Sequence, residues 1–123
     1  MKVRVYWNLH KDCYSVLNWE KGSSKGRLLK HADSVNLKDV SFIVQPAGVD
    51  RVRSEKVKNV HAFVEGTLSD EQTERGVVVT YNPYTMKTFQ VKDTGREVLT
   101  ANSVRMSSYF SDGRNKALVE ASI

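Results

Sequence analysis

"SVNLKDVSFIVQPAGVDRVRSEKVKNVHAFVEG", residues 34–66, carries both periodicities that decide the fold. Val35 and Leu37 alternate with polar neighbours, and so do Val40, Phe42 and Val44, but the two sets are out of phase by one position. Period-two alternation marks a strand, and a phase jump inside it predicts a turn or bulge at Lys38 and Asp39. Pro46 suits a first helical turn and opens a helix near residues 46–57, with Val49 and Val52 three apart and Gly48 keeping it short. Val60, Ala62 and Val64 then restore the strand period, with His61, Phe63 and Glu65 on the opposite face.

Outward from this stretch the strand period dominates. Val3, Val5 and Trp7 line one side of an opening strand, and Cys13 to Trp19 reads as its returning partner after the polar "NLHKD". "EKGSSKG" is a Gly/Ser/Lys loop, followed by a strand at Arg27–Lys30. "SDEQTERG" reads as a loop or a single helical turn, with Ser69 and Gln72 spaced as a capping box. Further strands are expected at Gly76–Tyr81, Thr88–Lys92, Ser103–Phe110 and Lys116–Ala121, joined by the turn formers "NPYT", "DTGRE" and "SDGRN". The expected class is α+β, mainly antiparallel β: a compact sheet or small barrel with one short helix. At 123 residues the chain is read as a single domain, 1–123.

Composition narrows the setting. Charged residues make up 27% and apolar residues 40%, a globular balance, and no run approaches the ~18 apolar residues of a membrane span. "MKVRVYW" lacks the apolar segment of a signal peptide, so the chain is expected to stay in the cytoplasm where it is made. One cysteine, Cys13, excludes an intramolecular disulfide. The net charge of +5 is unevenly placed. Residues 1–58 hold 12 basic and 6 acidic side chains, whereas residues 59–123 hold 7 and 8. A basic first half suggests a face for phosphate or for an acidic protein surface.

Four blocks, "YWNLHKDCYSV", "HADSVNLKDVSF", "KNVHAFVEGTL" and "VTYNPYTMKTF", resemble in this order a group of small uncharacterised proteins of tailed bacteriophages and prophages. The resemblance runs to about Phe89 and implies no activity. It implies a setting, the bacterial host cytoplasm, in which small basic proteins bind nucleic acid or inhibit a host protein.

The candidate chemistry is sparse. His10 and Cys13 have the H-x-x-C spacing of a ligand pair, and His31 with Asp33 or His61 would complete a metal site, but zinc modules show two close pairs and no metal or other cofactor is expected. Three histidines, His10, His31 and His61, each lie near a lysine in sequence, which would suit acid–base cleavage of a phosphodiester with help from Tyr81 or Tyr84. Arg51, Arg53, Lys56 and Lys58 on the helix, followed by His61 and Phe63, would supply phosphate contacts beside a stacking platform, or else a solvated helix face beside a core Phe. Tyr81 and Tyr84 flank a turn and suit a protein interface, or pack over that turn. Lys11 beside His10 is a further contact candidate. The expected role is therefore binding without catalysis, to a host protein or to RNA or single-stranded DNA, with self-association open. A metal-independent, ribonuclease-like enzyme is the alternative.

Overall fold

A computed structural model describes residues 1–8, 11–55, 61–73, 76–82, 84–107 and 119–123, with the backbone alone at 51–53, 55, 119 and 120. The elements run β1 (Lys2–Asn8), β2 (Cys13–Asn18), β3 (Leu28–Ala32), β4 (Val35–Val44), α1 (Pro46–Glu55), β5 (Ala62–Leu68), β6 (Val77–Thr80), β7 (Gln90–Val91), β8 (Thr100–Met106) and β9 (Val119–Ser122). All strands join one antiparallel sheet in the order β3-β2-β1-β5-β4-β8-β9-β6-β7. The mainly antiparallel class with one short helix is what the periodicities demand.

The phase jump in β4 is a bulge. The β4–β5 register shifts between Lys38 and Ser41, and Asp39 lies in the left-handed region at φ 52°. Leu37 before the bulge and Val40 after it are both 1% exposed, so the extra residue keeps two out-of-phase apolar sets on one face. Gly66 faces this irregularity across the pair, and a Cβ there would stand 2.8 Å from the Lys38 carbonyl oxygen.

α1 fills the connection between β4 and β5. The Gln45 N–H donates to the His61 carbonyl at 2.8 Å, so the ladder extends one pair beyond Val44↔Ala62 before the chain turns into the helix. Gly48 packs against the returning chain: a Cβ there would lie 2.5 Å from the His61 Cβ. The residue that weakens helix propensity is thus the one that lets helix and strand meet.

The core runs across the sheet as register-matched residues: Val3 and Val5 of β1, Val16 of β2, Val64 of β5, Leu37 and Phe42 of β4, Val104 of β8 and Ala121 of β9. Phe42, Phe89 and Tyr81 continue it as an aromatic run with centroid spacings of 5.0 and 5.1 Å. The far end of the sheet doubles back, because Gln90 bridges to Glu97 and the Val98 N–H donates to the Phe89 carbonyl, which covers the outer side of β7 with the chain leading into β8. β3 has no such return, so it ends the sheet with β2 as its one neighbour among the described residues.

Three expectations need adjustment. β8 begins at Thr100, three residues before the expected Ser103. Among the described residues the stretch after β5 takes the loop form of the expectation: Ser69 Oγ accepts the Glu71 N–H at 3.1 Å, a two-residue turn in place of the i to i+3 contact of a capping box. His61 and Phe63 are no stacking platform, since they are 2% and 8% exposed and Phe63 takes the core alternative. Both sides of the strand are covered there, so alternation did not separate inside from outside. Val60 and the turn "SDGRN" lie outside the described residues.

Candidate binding surface

The side of β1, β2 and β3 opposite the core holds most of the polar chemistry. Its centre is Ser15, paired with Tyr6 on β1 and with His31 on β3. Asn8 ends β1 and uses both ends of its amide. Its Oδ1 accepts the Lys11 N–H at 3.1 Å, closing the β1–β2 turn, and Nδ2 therefore donates to Ser15 Oγ at 3.1 Å. The Ser15 hydroxyl is also hydrogen-bonded to His31 Nδ1 at 3.1 Å. His31 is thereby tied through Nδ1 to Ser15, on an otherwise exposed side chain. Asp12, in the same turn, adopts φ 54°.

A second cluster sits on the same side. The Arg4 guanidinium lies 4.0 Å from the Trp19 ring centroid and 5.2 Å from that of Phe63, with Nε 3.7 Å from Glu65 Oε1. Tyr6 meets Phe63 edge to face at 6.2 Å. Lys25 Nζ is 5.0 Å from the Trp19 centroid, so this half-buried ring already carries two cations.

Beyond these clusters the surface is basic and apolar. Residues 20–31 are all exposed, and residues 21–32 include Lys21, Lys25, Arg27 and Lys30 with no acidic side chain among them. In the middle of this stretch Leu28 and Leu29, on the terminal strand β3, are 50% and 42% exposed.

The residues singled out from sequence fall in different places. Lys11 is exposed in the β1–β2 turn and Tyr84 is 55% exposed, its N–H held by Asn82 Oδ1 at 2.9 Å. Tyr81 is fully buried, and its hydroxyl lies 3.2 Å from His61 Nε2, so these two belong to the core and not to one surface with Tyr84. Phe63 lies beneath Tyr6 and Arg4 and offers no open ring face. His10, Lys56 and Lys58 lie outside the described residues, and Arg51 and Arg53 are placed on α1 by backbone alone. His31 and His61 are not brought together. Cys13 is half-buried at the start of β2, opposite Asn8. Among the described residues no three His, Cys, Asp or Glu side chains stand close enough to share a metal ion. The sequence reading did not single out Asn8, Ser15, Arg4, Trp19 or Leu28 and Leu29. Strand parity could have paired Arg4 and Tyr6 on one face, but the Ser15–His31 contact depends on a register that shifts between Val16 and Leu17.

A family model described as Mycobacterium phage L5 gene 82 protein matches residues 1–111 of this chain. The chain belongs to this phage family. Consistent with it, the Gene 82 protein of Mycobacterium phage L5 is 38% identical over 115 residues, covering 87% of this chain and 90% of that relative. The family match takes in every element from β1 to β8, including the whole β1–β2–β3 surface. No solved structure matches. No helix among the described residues is long and apolar enough to cross a membrane.

Proposed function

We propose that this phage protein acts by binding and not by catalysis, capturing a protein of the bacterial host in the cytoplasm and acting on it stoichiometrically. The observation that carries this reading is the end of the sheet: β3 exposes Leu28 and Leu29 inside a stretch of twelve residues, 21–32, that has four basic side chains and no acidic one. Apolar contact area at the centre of a charged surface is the anatomy of a protein interface. Nucleic acid would exploit the same charge, but it needs open aromatic faces for single strands. Phe63 and Tyr81 are buried, Trp19 is occupied by Arg4 and Lys25, and the exposed Tyr84 lies between β6 and β7 at the other end of the sheet from the basic stretch, which weighs toward a protein. The histidine enzyme has less support, because Ser15, the hydroxyl nearest His31, is fully buried and His61 is enclosed with Tyr81.

The test is a paired capture with the immobilised chain, from bacterial lysate and from a mixture of labelled RNA, single-stranded DNA and duplex DNA at two salt concentrations. The expected result is one host protein retained at a fixed stoichiometry, with intact nucleic acid washed through. Salt-sensitive retention of nucleic acid without protein contradicts the proposal, and cleaved strands would establish the enzyme instead.

A further inference from the structure

Main-chain parity tells which groups of β3 face outward. The Trp19 N–H donates to the Lys2 carbonyl of the β1 strand, whereas the Asn18 N–H donates to the Arg27 carbonyl and its carbonyl accepts the Gly26 N–H. Main-chain groups alternate sides along an antiparallel strand, so Val16 and Tyr14 also turn theirs toward β3 and Ser15 turns its own toward β1. Lys30 and Ala32, the partners of Val16 and Tyr14, thus bond inward. His31, the partner of Ser15, is in a non-hydrogen-bonded pair, the arrangement that brings facing side chains closest. One parity therefore explains both the 3.1 Å Ser15–His31 side-chain bond and a His31 N–H and C=O aimed away from the sheet.

We propose that this outer edge of β3, centred on His31 with Leu28, Leu29 and Lys30 beside it, docks an extended acidic segment of the partner protein as an added antiparallel or parallel strand; the proposal rests on the reading of the chain as a protein binder. The main chain supplies the bonds of strand addition, and alternate side chains supply selectivity. Charge decides the occupant. A second copy would bring a second set of Lys25, Arg27 and Lys30 to the same edge, and that concentration of like charge disfavours the pairing. An acidic strand finds Arg27 and Lys30 as charge partners beside the exposed His31, and Leu28 and Leu29 as apolar contacts. Natural edges are blunted by charge, and this one is charged on its side chains while its main chain stays open.

The parity also designs the test. His31→Pro deletes a donor that the sheet does not use, at an edge position where Pro is tolerated, and His31→Gln removes the imidazole while keeping the N–H. With the full-length chain and the host protein it retains from lysate, His31→Pro should weaken capture by at least about tenfold while His31→Gln stays within about threefold of the unchanged chain. In the unchanged chain, hydrogen exchange of the His31 amide should slow by about tenfold or more on complex formation, a reading that does not depend on any variant folding. Equal capture by the Pro variant, or an unchanged His31 amide in the complex, overturns strand addition while the binding function stands. Failure of the unchanged chain to retain any protein overturns both.

Discussion

Asn8 shows how much one side chain can organise. Its amide closes the β1–β2 turn through Lys11 and orients Ser15 toward His31, so Asn8→Ala removes an acceptor and a donor together. The expected cost is about 1–2 kcal/mol by urea denaturation, because the turn N–H is exposed to water while the Ser15 hydroxyl is not. Gly48 carries a different constraint. A methyl group there would stand 2.5 Å from the His61 Cβ, so Gly48→Ala should destabilise by about 1–3 kcal/mol even though Ala is the better helix former. A stabilised Ala variant in the same titration would show that α1 is free to shift. Neither role was legible beforehand. Gly48 reads as a flaw in a helix until His61 is seen beneath it, and Asn8 reads as a turn residue until a register brings Ser15 opposite His31. Tyr81 and Phe63 illustrate the converse: aromatic residues near a turn or a basic helix suit an interface as well as a core, and only burial separates the two.

At the scale of elements, β4 was the most readable. Two apolar sets out of phase by one residue leave a bulge as the way to bury both, and the bulge lies at Lys38–Ser41 with Asp39 at φ 52°. Asp tolerates that left-handed backbone, whereas a β-branched residue does not, so Asp39→Val should cost about 1–2 kcal/mol. Its urea midpoint should fall with an unchanged slope; an unaltered midpoint would mean the bulge relocates. The strands of the first hairpin were equally visible, since Val3, Val5 and Val16 occupy one face of a two-strand ladder. What alternation could not give was neighbourhood. β5 lies between β1 and β4, and β9 lies between β8 and β6, and these insertions are set by long-range pairing that leaves no local periodic mark. The covering of His61 and Phe63 on the second side of β5 follows from that neighbourhood, through α1, Tyr6 and Arg4.

Across the whole molecule the sheet has two unlike ends. At β7 the chain folds back through Glu97 and Val98, while β3 ends the sheet with its leucines exposed and an excess of basic charge around them, Asp33 at its end notwithstanding. The charge bias of the first half was plain from the sequence, but its focus on one strand edge required the topology. Because the side chains of Arg27 and Lys30 project from exposed positions, reversing their charge should leave folding within about 0.5 kcal/mol per site. The measurement that tests the account most directly is capture of the host protein by Arg27→Glu/Lys30→Glu beside the unchanged chain, with both titrated in urea. The account predicts closely matched urea midpoints and a loss of capture of at least about a hundredfold, the scale on which like charges facing across an interface act. Full capture by the reversed chain at matched stability would contradict it and place the binding surface elsewhere on the molecule.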